Sequence, residues 1–176
     1  ILYMLLAGQM PFEGPSFEVL RAQIPAGLNI AMSGIPWWTT DIGGFMEGDI
    51  RTDYFKELIV RWFQYGVFCP LFRLHGVRQP LNGLYGAQSS GADNEVWSFG
   101  ERNYEIIRNL LFLREKLKPY LRELNQAAHE HGTPPMRPLY YDFPTDPAAV
   151  NLADQFMLGP DLLVAPVTEQ GAISRE

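Results

Sequence analysis

Helical periods and short apolar runs alternate along this chain, and that order narrows the folds open to it. Leu20, Ile24, Leu28 and Met32 recur at four-residue spacing, and with Ser16 as N-cap they predict a helix over residues 16 to 32. Pro25 falls inside that period and is expected to kink or break it. Gly34 stops the helix, and "IPWWTTD" then runs extended into Gly43 and Gly44. In "TDYFKELIVRWFQYG", Phe55, Leu58, Ile59, Trp62 and Phe63 form one stripe; Thr52 or Asp53 can cap it, and Gly66 ends it. "VFCPLFRLHG" is a short apolar run closing on Arg73 and His75, and reads as a buried strand. Residues 77 to 100, rich in Gly, Pro, Ser and Asn, read as a long loop of the kind that tends to be functional. From Glu101 to His131 the helical period returns through Ile106, Ile107, Leu110, Leu117, Leu121 and Leu124, with Pro119 expected in the first turn of a second helix. "GTPPMRPLYYDFP" reads as extended, and "DQFMLGPDLLVAPVTEQG" as two short apolar runs parted by Gly159 and Pro160.

Such an order predicts β/α units around a parallel sheet. Polar side chains collect where the runs stop: Asp41 after the first, Arg73 and His75 after the second. That is where α/β barrels place their chemistry. With 47% hydrophobic and 19% charged residues, a chain of 176 residues can bury a full core. A net charge of −6, with Lys and Arg scattered, argues against a nucleic-acid partner. "ILYMLLAG" is too short to span a bilayer, so no membrane partner is expected, and without a basic n-region or initiator Met it does not read as a signal peptide. A start at Ile1 and an end at "GAISRE" look like arbitrary cuts, and the chain reads as a fragment of unassigned compartment. Cys69, the single cysteine, reads as a buried thiol, and the three histidines have no metal-ligand spacing. No cofactor or metal is expected.

"SGIPWWTTDIGGF", "ELIVRWFQYGVFCPLFRLHG", "REKLKPYL", "MRPLYYDFP" and "DQFMLGPDLLVAPV" resemble, in this order, the later half of the catalytic barrel of glycoside hydrolase family 31. The similarity covers roughly residues 16 to 172, and several linked motifs in order are far more specific than one alone. The resemblance implies a retaining α-glucosidase or α-xylosidase, acting on the non-reducing ends of α-glycosides through a (β/α)₈ TIM barrel flanked by β-sandwiches. Residues 1 to 15 then form an atypical lead-in and residues 16 to 155 the C-terminal half of the barrel. Residues 156 to 176 begin the proximal C-terminal β-sandwich.

The site residues follow with their alternatives. Asp41 is either a turn or cap aspartate or, as the resemblance implies, a buried carboxylate under the sugar. A carboxylate among tryptophans must be paired to stay charged, and Arg73 is its candidate partner. Trp38 and Phe45 offer flat faces that suit the C–H faces of a pyranose, against an equal case for core packing, which is the favoured reading of Trp37. His75 is a structural histidine or, by the resemblance, a ligand of sugar hydroxyls, since imidazole can donate and accept at once. His129 and His131 read as surface residues at a helix end. Retaining hydrolysis needs a nucleophile and an acid/base carboxylate. The resemblance places the nucleophile on an earlier strand, upstream of Ile1, and the acid/base at the position of Phe12. Glu13 is the adjacent carboxylate, read in the first place as a surface acid. No catalytic residue is therefore expected in the chain. Two functions stay open: part of an α-glycosidase, inactive alone, or a non-catalytic sugar-binding member of the same fold. Either takes a carbohydrate partner.

Overall fold

A computed structural model of the chain describes residues 15–81 and 91–175. Helix α1 (Phe17–Met32) starts on Ser16, whose hydroxyl accepts from the Val19 amide at 3.2 Å. It runs unbroken through Pro25, against the expectation of a break. An interior proline costs about 3 kcal/mol, but Leu20, Ile24 and Leu28 are buried on one face at roughly 1.5–3 kcal/mol each, so packing wins. Helix α2 (Asp53–Gly66) is capped by Thr52, which accepts from the Phe55 amide, and buries the predicted stripe from Phe55 to Phe63.

Helix α3 (Glu101–His131) is one continuous helix, where two were expected. Pro119 is exposed, so the backbone bond it removes lies where water can replace it, and the period continues. Gly132, at φ 70°, closes the helix in the left-handed conformation. Beyond it come strand β1 (Met136–Arg137), the short helix α4 (Leu139–Asp142), a 3₁₀ turn (Pro147–Ala149), and strands β2 (Phe156–Leu158) and β3 (Leu162–Val164). The stretch expected to be extended from Gly132 to Pro144 thus holds only two strand residues before it turns helical.

Among the described residues the one multi-residue sheet is antiparallel, in the order β1-β2-β3, with Met136 opposite Leu158 and Phe156 opposite Val164. The expected parallel sheet is present only as paired extended segments. Residues 38–50 lie beside 71–79, with parallel bridges Ile42–Leu74 and Asp49–Gln79. Backbone bonds join them from Leu71 N to the Trp38 carbonyl (3.0 Å), Ile42 N to Arg73 (3.2 Å), Val77 N to Phe45 (2.9 Å) and Gln79 N to Gly48 (3.0 Å). The buried strand expected over 67–76 is therefore reduced to a bridge at Leu74. Left-handed glycines at 43, 44 and 48 interrupt the pleat that a regular ladder needs.

The core joins α1, α2, Ile107 of α3, and Phe156 and Leu158 of β2. Buried polar links fix these layers. Trp62 Nε1 donates to Thr40 Oγ1 at 2.9 Å, and Tyr65 donates to the Gln23 carbonyl at 3.1 Å. Arg114 of α3 donates to the carbonyls of Val67, Cys69 and Pro70, closing the end of α2. No described helix is long and apolar enough to cross a membrane.

Candidate functional site

The paired segments bring the chemistry together. Asp41 Oδ1 accepts from Arg73 Nε at 3.0 Å and from Nη2 at 2.5 Å. The Asp41 side chain is 14% exposed and that of Arg73 is 57% exposed. The expected pair exists, with its carboxylate covered and its guanidinium open. Open guanidinium–carboxylate pairs contribute up to about 1 kcal/mol, so this one orients more than it stabilises. Beside it, the His75 and Phe45 rings lie 5.6 Å apart at 31°. Both side chains are exposed, as an arrangement that meets a ligand requires.

The two positions before Phe45 call for glycine. Gly43 and Gly44 have φ of 85° and 80°, and a Cβ on Gly43 would stand 2.8 Å from Arg78 Nη2 and 3.0 Å from Ile59 Cδ1. Arg78 itself went unnoticed in the sequence. It is fully buried. Its Nε donates to Asn94 Oδ1 (2.8 Å), Nη1 to the Gly44 carbonyl (2.7 Å), and Nη2 to the carbonyls of Ile42 (2.8 Å) and His75 (3.3 Å). The guanidinium also lies 5.2 Å over the Phe55 ring. Burial pulls its pKa down to about 10, against the opposing pull of the Asp41 charge, so it stays protonated at neutral pH. No pattern in the sequence marks it, because an arginine in a Gly- and Pro-rich loop reads as solvated.

Trp37 departs from its expected place, and Trp38 takes one of the two open to it. Trp37 is 50% exposed, whereas core packing was its favoured reading. Trp38 is half-buried across α1, where a Cβ on Gly27 would stand 2.7 Å from its ring, and its Nε1 donates to Tyr65 at 3.0 Å. Cys69 is buried, and burial pushes its thiol up to about 12. His129 and His131 are exposed at the end of α3. Phe12 and Glu13 lie outside the described residues. Among the described residues, no three His, Cys, Asp or Glu side chains gather as they would around a metal ion.

Residues 13–124 match the family model for the TIM-barrel domain of the glycosyl hydrolases, family 31, and residues 132–176 match the model for that family's C-terminal domain. The family so matched is one of glycosyl hydrolases, and the relatives named below carry glycosidase names. The chain belongs to glycoside hydrolase family 31. It is 42% identical over 160 residues to an α-xylosidase of Saccharolobus solfataricus, covering 91% of this chain and 20% of that protein. It is 35% identical over 154 residues to α-glucosidase 2 of Bacillus thermoamyloliquefaciens, covering 86% and 17%. Among solved structures, a family 31 α-xylosidase from a soil metagenome complexed with xylose aligns with a TM-score of 0.87 and 52% identity, over 90% of this chain and 25% of that one. The Flavobacterium johnsoniae dextranase of the family, complexed with glucose, aligns with a TM-score of 0.78 and 41% identity, over 93% and 18%. The chain spans about a fifth of the length of the curated relatives it matches.

Proposed function

We propose that the chain supplies the later half of the (β/α)₈ catalytic barrel, and the start of the C-terminal β-sandwich, of a retaining α-glycosidase that removes terminal α-linked xylosyl or glucosyl residues. The observation that carries this reading is the placing of the Asp41–Arg73 pair beside the Phe45 and His75 rings on two adjacent parallel segments. Asp41 accepts from sugar hydroxyls while Arg73 fixes its orientation. His75 donates to one hydroxyl and accepts from its neighbour, and Phe45 covers a C–H face of the ring. Trp38, held on α1, borders the subsite. A nucleophilic carboxylate from outside the chain attacks the anomeric carbon as a second carboxyl group protonates the departing oxygen; that second group, now a carboxylate, then takes a proton from water, whose oxygen bonds the anomeric carbon and releases the nucleophile. Neither group is supplied by Asp41, which is committed to Arg73. The isolated chain is therefore inactive in this reading.

The test uses a full-length enzyme carrying this segment, with nitrophenyl α-xyloside and α-glucoside as substrates. Contacts that strengthen as the oxocarbenium-like transition state forms lower the barrier, so His75→Ala should lower kcat by about 100-fold as well as weaken binding. Wild-type kcat and KM in that variant would make His75 structural. Sugar binding without hydrolysis by the unaltered enzyme would favour the non-catalytic alternative.

A further inference from the structure

We infer that Arg78 is a positioning residue for this site, locking the backbone that carries Asp41 and Phe45 to the backbone that carries Arg73 and His75. Its kinetic consequence depends on the glycosidase reading; the lock itself does not. The guanidinium reaches three separate stretches of chain. Nη1 and Nη2 bond the carbonyls of Gly44 and Ile42, on either side of the Gly43 peptide, and Nη2 also reaches the carbonyl of His75 itself. Nε bonds Asn94, whose own Nδ2 donates to the Gly76 carbonyl at 3.4 Å, and the Arg78 carbonyl accepts from the Ala92 amide at 2.9 Å. Both glycine turns are built around this group. A Cβ on Gly43 would meet Nη2 at 2.8 Å, and one on Gly76 would meet Nη1 at 2.8 Å and the Gly44 carbonyl at 2.6 Å.

The acceptors of its guanidinium are neutral, and among the described residues no carboxylate bonds it directly. Burying a guanidinium on neutral partners is a poor way to gain stability, and apolar residues of similar volume often do as well or better. A planar fork does what an apolar residue cannot: it fixes the direction and spacing of several carbonyls at once. The carbonyls it fixes belong to, or adjoin, the residues of the proposed subsite. Displacements near 1 Å in such a subsite reduce turnover by about 100-fold, so a lock of this kind has a kinetic signature.

The test takes Arg78→Lys, His75→Ala and their double variant in a full-length enzyme carrying this segment. Lysine keeps the charge and stem, but its single nitrogen cannot span the same acceptors. Arg78→Lys should lower kcat about 10- to 100-fold with a smaller change in KM, assayed well below its melting temperature. In the His75→Ala background the same change should cause a smaller loss than in the unaltered enzyme, because His75 is one of the residues that Arg78 places. In hydrogen exchange, the amides of Ile42, Gly44, Val77 and Gln79 should lose protection while those of α2 keep theirs. A lower melting temperature with wild-type kcat, additive losses in the double variant, or unchanged exchange at those amides would each overturn the positioning role. If Arg78→Lys does not fold, Asn94→Ala removes one acceptor only and should shift kcat and exchange in the same directions by less; no shift overturns the inference. If the unaltered enzyme releases neither nitrophenol, the glycosidase reading fails, and hydrogen exchange alone decides the lock.

Discussion

Asp49 illustrates how far a single half-buried carboxylate can be tuned by its own turn. Its Oδ1 accepts from the Arg51 amide at 3.0 Å and from Arg51 Nε at 2.8 Å, and these bonds hold its pKa down to about 2. A depressed carboxylate stabilises the fold above its unfolded pKa, near 3.8, and that contribution fades as pH falls through the folded value. Asp49→Asn should therefore melt below wild type at neutral pH, with the two melts converging as pH drops from about 4 to 2. Parallel curves throughout that range would contradict the linkage. Cys69 gives the opposite case. With its thiol pushed up to about 12 by burial, it should resist iodoacetamide in the folded protein and react only on unfolding. At this scale the sequence was partly legible. A carboxylate beside tryptophans implied a partner, and Arg73 is that partner. Which of two adjacent tryptophans faces inward depends on tertiary packing, in this case the gap over Gly27, and alternation alone does not choose. Arg78 was illegible because burial of a loop arginine depends on acceptors brought from Ile42, Gly44 and Asn94, which lie far from it in sequence.

Among the elements, helices were the readable part. The α2 stripe and the caps at Ser16 and Thr52 follow local rules, and the structure keeps them. Strands were less so, because glycines with positive φ turn a would-be parallel ladder into scattered bridges. Neither proline ends its helix, at 25 or at 119, since packing in one case and solvent in the other offsets its usual penalty. Gly27 of α1 shows the same contest in a form that can be measured. Gly→Ala in a helix interior ordinarily gains about 1 kcal/mol. Here the added methyl would stand 2.7 Å from the Trp38 ring, which is pinned by its bond to Tyr65. Overpacking costs about 1–3 kcal/mol, so Gly27→Ala should destabilise in denaturant melts. In a Trp38→Ala background the same change should become stabilising. Stabilisation in the wild-type background would show that the ring moves aside freely.

The whole molecule presents more apolar surface than a self-sufficient fold needs. Trp97 is 67% exposed, Phe112 60%, Ile35 56% and Trp37 50%. Of the long helix α3, only Ile107, Leu121, Leu124 and Ala128 are buried, although its period carries several further leucines and isoleucines. Large apolar side chains left open in this way mark surfaces that another part of a protein covers. Relatives about five times longer have the material to cover them. If the chain is the later half of a barrel, it should associate with itself when produced alone, burying those surfaces wrongly, and release no nitrophenol from an α-xyloside or α-glucoside. Within a full-length enzyme the same residues should be shielded, so acrylamide quenching of Trp97 and Trp37 should fall relative to the isolated chain. Sedimentation, quenching and activity together separate the cases. Self-association with strong quenching and no turnover is the expected result. A monodisperse monomer with one cooperative melt would mean that these side chains are ordinary surface, and turnover by that monomer would mean that both carboxylates reside in the chain after all.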